Sequence, residues 1–268
     1  MEIKISLIII LKYKNMFNIA LNTFKEIVRN KFLYMILFFW FIFIIFSLSL
    51  GKLTLWNDQK IIVDFWLAMI EIFWLIWVIF VWSQLLFKEV EWKTIFLILS
   101  KPIDRYEFIL WKFIGFSGTI WLIVLAQALL FLWVLWLKSI DIDLLIIMSL
   151  FYTFLKLEIL LALVFFFSTF TSNIVTVLVT VMIYFASHSF SALIDLAIRS
   201  KNVALEYFFQ WLQVLFPPMQ ALNIKDVIGS FKDFSHLELF WNAVYAIVYI
   251  LVILYFSILI FNRKKFEN

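Results

Sequence analysis

The side chains of this chain best placed to do chemistry are the few ionisable groups inside otherwise apolar stretches: Glu71, Lys156, Glu158 and Asp195, with His188 close to the last of them. A charge in hydrocarbon is costly unless it is paired or faces water, so each residue marks either a path for a substrate or ion, or an interhelical pair or snorkelling side chain. Lys156 and Glu158 are two positions apart and point to different sides of a helix, so they do not neutralise each other directly. One of them could pair with Glu71 on a neighbouring helix. The two histidines, His188 and His236, have no carboxylates at ligand spacing around them, so no metal site is expected. His188 is expected to hydrogen-bond hydroxyls or a neighbouring helix. Cysteine is absent, which removes thiolate metal sites and thiol nucleophiles. The serines lack a plausible base. There is no glycine-rich phosphate loop, and Gly115 and Gly118 sit inside an apolar stretch, where they read as a packing feature. The chain is therefore expected to bind no cofactor and to catalyse nothing itself.

The elements that position these groups follow from composition. Of 268 residues, 66% are hydrophobic and 15% charged, against roughly 45–50% and about 25% in an ordinary soluble domain. A bilayer needs about 20 apolar residues per helix. Such runs recur at about 33–50, 65–87, 108–137, 144–168, 174–196 and 241–262, so the expected fold is an all-α polytopic membrane protein of six transmembrane helices. Most of the 22 basic residues fall in the N-terminal segment, in 88–112 and at the C-terminus. By the positive-inside rule those segments are cytoplasmic and the topology is N-in, C-in. The net charge of +4 reflects that topology and not a nucleic-acid surface. Residues 1–15 read as a short extension, with either Met1 or Met16 as the true start. Over 16–31, Phe17, Ala20, Leu21, Phe24, Ile27 and Val28 recur at helical spacing opposite Asn18, Asn22, Lys25, Glu26 and Arg29, which predicts an amphipathic helix in the membrane interface.

Two connections are long where a mere link would be short. The outer segment 197–240 contains a short helix over Val203–Leu215, stopped by Pro217-Pro218. The cytoplasmic segment 88–107 begins charged, turns apolar over Ile95–Leu99, breaks at Ser100-Lys101-Pro102 and restarts with Asp104 and Glu107 at capping-box spacing. That pattern predicts a helical hairpin protruding from the membrane.

Glycine numbers 4 and tryptophan 13, whereas about 7% glycine is usual and transmembrane helices use more. Trp74, Trp77, Trp82 and Trp121 lie inside spans, away from the interfaces where tryptophan normally gathers. Together the two residue types approach the expected glycine total, which reads as a gene whose UGA codons mean glycine but are rendered tryptophan. Codons at Trp74, Trp77, Trp92 and Trp111 decide the matter: UGG there excludes recoding.

Residues 88–116, KEVEWKTIFLILSKPIDRYEFILWKFIGF, resemble permease subunits of type-2 ATP-binding-cassette (ABC) transporters, and more narrowly the multi-copper enzyme maturation branch. The family pattern falls on Glu89 and Glu91, Trp92 and Thr94, Ile95–Leu99, Ser100-Lys101-Pro102, Arg105 and Trp111-Lys112, with tryptophan twice where the family has glycine. ALNTFKEIVRNK, FFFSTFTSN at 165–173 and PPMQALNIKD at 217–226 extend the likeness over most of the chain after Met16. The resemblance implies one transmembrane permease domain over 1–268 in the plasma (cytoplasmic) membrane of a bacterium, acting as an exporter. It implies a dimer with a second permease copy or homologue, and two copies of an ABC ATPase subunit that hold ATP and Mg. It also implies that Glu89, Glu91, Lys93, Thr94, Ser100, Lys101, Pro102, Asp104 and Arg105 contact the ATPase. The competing readings are a membrane assembly protein and an ATP-independent channel or carrier. The cytoplasmic hairpin speaks against both; the lack of polar stripes speaks further against a channel, and the lack of inverted repeats against a carrier.

Overall fold

A computed structural model describes residues 18–26, 29, 38–46, 58–91, 104–225, 228 and 235–263. Everything regular in them is helix: α1 (18–26), α2 (38–46), α3 (Asp58–Ile76, continuing through a π-helical stretch Trp77–Trp82 into Ser83–Glu91), α4 (Arg105–Leu137), α5 (Leu144–Ser168), α6 (Asn173–Arg199), α7 (Val203–Leu215) and α8 (His236–Arg263). Five stretches, Lys60–Phe87, Arg105–Leu137, Leu144–Ser168, Asn173–Arg199 and Leu237–Arg263, are long and apolar enough to cross a bilayer. Of the span expected at 33–50, only 38–46 is described, and it is helical. The extension 1–15 lies outside the described residues.

Local chemistry sets the helix ends. At the start of α4, Asp104 and Glu107 form the expected capping box, and the Asp104 amide donates to the Glu107 carboxylate at 3.0 Å. The helix stops at Lys138, where Ser139 takes a left-handed φ of 53°. Asn202 caps α7 by accepting from the Leu205 amide at 3.2 Å. Pro217 blocks continuation, and Tyr245 and Tyr249 of α8 donate to the last carbonyls of α7, those of Val214 and Leu215.

The bundle is organised about α5. Of its apolar stretch 78% is buried, against 17% for α6, so α5 is the central helix and α6 a peripheral one with an exposed apolar side. Tyr152 of α5 donates to the Leu239 carbonyl of α8 at 2.6 Å, fixing the register of these two helices. The π-helical stretch in α3 is a feature that hydropathy does not signal. It places Val78, Ile79 and Trp82 in the core, and Ser83 just after it hydrogen-bonds Asn173 at the start of α6. Such widened turns often occur at functional positions.

Helix α1 packs on α4 with Ala20 and Thr23 buried, while Asn18, Asn22, Lys25 and Glu26 are exposed. The contact needs Gly115, since a Cβ there would lie 2.7 Å from the Ala20 carbonyl and 2.9 Å from the Thr23 Cβ. Gly118 has nothing within 4 Å of that position, so Gly115 alone of the two makes a close approach. Among the tryptophans, Trp40, Trp66, Trp74 and Trp82 are all buried, and Trp40 stacks on Trp66, which stacks on Phe131. Trp74 donates to Gln127, whereas the Trp40 indole N–H finds no partner among the described residues. A buried orphan N–H is costly in hydrocarbon, so Trp40 is a position where a smaller residue would be at less disadvantage.

Candidate functional site

One face of α3 carries Lys60, Asp64, Ala68 and Glu71 at intervals of four, four and three residues, which aligns them in a single stripe. Glu71 lies 11 residues in from Lys60, and Lys156 lies 12 residues in from Leu144. At 1.5 Å per residue both are about 17 Å along their spans, near the middle of a hydrocarbon layer roughly 30 Å thick.

They meet there. The Lys156 ammonium donates to Glu71 Oε1 at 2.9 Å, with both side chains 3% exposed. Helix α6 adds Tyr184 and His188, one turn apart. The Tyr184 hydroxyl donates to the same Oε1 at 3.1 Å, and His188 Nε2 stands 3.9 Å from it. The His188 ring is held by its Nδ1 contact with the Tyr184 carbonyl at 3.1 Å and lies 4.5 Å from the tyrosine ring, centroid to centroid.

The remaining members come from the chain after α7. Pro217, Pro218, Met219, Leu222 and Ile224 are buried in the bundle, and this anchorage carries Asn223 and Lys225 inward. Asn223 Oδ1 accepts from Lys156 at 3.3 Å, and the Lys225 ammonium donates to Glu71 Oε2 at 2.7 Å. Both carboxylate oxygens of Glu71 are thereby engaged, one of them twice, which is the condition under which a buried charge is tolerated. Above this cluster, Lys60, Asp64, Ala68 and Lys225 line an open pocket of about 350 Å³.

Glu71, Lys156 and His188 are thus brought together as an interhelical cluster. Glu158 is not part of it. It is buried on the opposite side of α5, beside the Ser117 hydroxyl of α4, with its Oε1 lacking a hydrogen-bond partner among the described residues. Asp195 is exposed on α6. Sequence reasoning missed Tyr184, Asn223 and Lys225. The signal was weak: Asn223 and Lys225 belong to a segment that looks like a surface connection, and only its run of buried apolar residues behind Pro217-Pro218 betrays an inserted one. No group of three or more His, Cys, Asp or Glu able to hold a metal occurs among the described residues.

The expected coupling hairpin at 88–107 falls largely on 92–103, outside the described residues. Glu89 and Glu91 lie in the last turns of α3, and their side chains are outside the described residues, as are Lys93, Thr94, Ser100, Lys101 and Pro102. Asp104 is committed to the capping box. Arg105 donates to the Asn262 carbonyl at 3.2 Å, next to the stacked rings of Phe108 and Phe261, and so ties the end of α8 to the start of α4. One turn or two beyond, Lys112 is buried over the rings of Phe108 and Phe116 at 5.6 and 5.9 Å, a placement that offsets part of its desolvation.

A comparison with curated proteins finds no match. The sequence does match a family model, described as ABC-2 family transporter protein, over residues 17–266. With nearly the whole chain covered, this protein belongs to the ABC-2 family of transporter membrane proteins and is a permease subunit of an ABC transporter.

Proposed function

We propose that this chain is the membrane half of an exporter in the bacterial plasma membrane, driven by two copies of a separate ATPase subunit that engage residues 88–107. The observation that carries the reading is the layout of α3. The same helix bears Glu71 of the mid-span cluster, then the π-helical stretch Trp77–Trp82, then Glu89 and Glu91. A displacement applied at 88–107 reaches the cluster along one continuous element, and the π-helical stretch is a natural place for it to change its winding. The positive-inside count puts the 88–107 end in the cytoplasm, where ATP is available, and the pocket at the outer face.

ATP hydrolysis supplies the energy, with ATP and Mg held by the partner. This chain's residues receive the motion, with Arg105 tying the start of α4 to the end of α8 so that motion delivered there is shared by the bundle. One such bundle forms half of a pathway, so a second permease copy or homologue completes it.

The test is coexpression of the tagged chain with an ABC ATPase subunit from the same genome. Copurification of permease and ATPase in equal amounts is expected. Replacing Glu89→Lys and Glu91→Lys together should lower stimulated ATP hydrolysis by about tenfold, the size of one or two lost charge-assisted contacts, without moving the thermal midpoint of the permease. Copurification without any ATPase would sink the reading.

A further inference from the structure

We propose that the pocket between α3 and the 217–225 segment binds the phosphate ester of a headgroup-sized molecule, with Lys225 and Lys60 as its anion-holding groups. The inference rests on the permease reading and names the class of molecule admitted to that site.

Hydrogen-bond capacity argues for an anion and against a cation. Glu71 Oε1 already accepts from Lys156 and Tyr184, and Oε2 accepts from Lys225, so the carboxylate has little left to offer a cationic guest. Lys225 has three N–H donors and places one on Glu71, and its side chain is 26% exposed toward the pocket. Lys60, exposed at the rim, contributes a second ammonium. The charge count agrees. Among the described residues, the pocket and the cluster beneath it hold three ammonium groups, Lys60, Lys156 and Lys225, against two carboxylates, Asp64 and Glu71. Within this described lining the ammonium groups outnumber the carboxylates by one, which favours an anionic guest. A partly desolvated site strengthens that attraction over its value in water.

Size and place narrow the class. A volume of about 350 Å³ falls at the low end of small-molecule sites, roughly 300–1,000 Å³, and suits a compact headgroup better than a long chain. Beside the pocket, Ile61 and Ile72 of α3 are exposed apolar residues on a membrane-spanning helix, so a lipid could seat its headgroup in the pocket with its tails along this surface. A soluble phosphate ester would meet the same two lysines from water. The chemistry is common to both sources, and the experiment separates them.

The full chain is reconstituted, without ATPase, in nanodiscs of phosphatidylcholine alone or with one third phosphatidylglycerol, and sn-glycerol 1-phosphate is titrated into the first. A rise in the thermal midpoint is expected because a ligand that binds only the folded state stabilises it. A rise with phosphatidylglycerol only assigns a lipid, and a rise with glycerol phosphate in phosphatidylcholine assigns a soluble ester. Lys225→Gln should weaken binding about tenfold and Lys60→Gln about threefold, the equivalents of one buried and one rim charge-assisted contact. Lys225→Arg should retain binding. Lys201→Gln, at an exposed position outside the pocket, should leave it unchanged. Lys60→Gln keeps the proposal testable even if Lys225→Gln folds poorly, since Lys60 makes no contact with Glu71. No midpoint rise with either probe, or equal losses in Lys60→Gln and Lys201→Gln, overturns the proposal. Because no ATPase is present, these outcomes are independent of whether the permease couples to one.

Discussion

Lys156 and Glu158 stand two residues apart on α5, both buried, and face opposite worlds. On the Lys156 side the charge meets a carboxylate, an amide oxygen and, through Glu71, a tyrosine hydroxyl and a second lysine. On the Glu158 side the acid has the Ser117 hydroxyl, and one oxygen has no partner among the described residues. The first arrangement converts charges that hydrocarbon would reject into a cross-link among α3, α5, α6 and the 217–225 segment. The second leaves a polar group whose one described partner is a serine hydroxyl. Burial alone therefore does not identify an important ionisable residue in a membrane bundle; the number of elements that converge on it does.

The largest effect expected from breaking this contrast is at Lys156. Removing one partner of a buried pair leaves the other uncompensated, at a cost of about 3–5 kcal/mol. Lys225 still holds Glu71 Oε2, so Lys156→Met should fall at the low end, about 3 kcal/mol, in an SDS or thermal unfolding series. Exchanging the charges, Lys156→Glu with Glu71→Lys, should restore only part of the loss, because Lys225 would then oppose a lysine at 2.7 Å. Full restoration would mean that Lys225 is not engaged, and a Lys156→Met protein as stable as the parent would mean the same of the pair itself.

How much of this was legible in the sequence depends on the range of the interaction. The all-helical membrane fold and the helices Leu144–Ser168 and Val203–Leu215 coincide with ranges read from hydropathy and proline, since those are local properties. The capping box at Asp104 and Glu107 was equally readable because both partners lie within one turn. The Glu71–Lys156 pair could be raised as a possibility, but its 85-residue separation gave no register. Lys225 reaches Glu71 across 154 residues and from a segment that reads as an outer connection, so nothing local announced it. The π-helical stretch was invisible for a similar reason: its six residues, WVIFVW, are as apolar as any straight span. Helix α7 was found from its pattern, yet the tyrosines that hold its end lie on α8.

A smaller effect is expected where α1 meets α4. That contact closes on a glycine, with Glu26 of α1 acting on the buried Lys112 of α4, so replacing the glycine tests how far the bundle's other end is held by packing and not by charge. Gly115→Leu cannot be accommodated with the Ala20 carbonyl 2.7 Å from its Cβ, and α1 must shift or detach. Overpacking of this kind costs about 1–3 kcal/mol. Detachment should also speed tryptic cleavage at Lys25 and Arg29. Gly118→Leu, with open space around its Cβ position, serves as the matched control and should change neither stability nor cleavage. Equal effects of the two substitutions would remove α1 from its assigned place.

The smallest effect is expected on the Glu158 side, and its sign matters more than its size. Replacing a buried polar group by an apolar one of similar volume is often neutral or stabilising, provided no partner is abandoned. Ser117 is the one described partner at risk, and a helical serine can turn its hydroxyl back to the carbonyl four residues earlier, here that of Phe113. Glu158→Leu should therefore leave the unfolding midpoint within about 0.5 kcal/mol of the parent, or raise it. A loss as large as that of Lys156→Met would show that the carboxyl carries an interaction as strong as the Glu71 pair. The two faces of α5 would then be alike in holding the bundle together, and convergence of elements would no longer separate them.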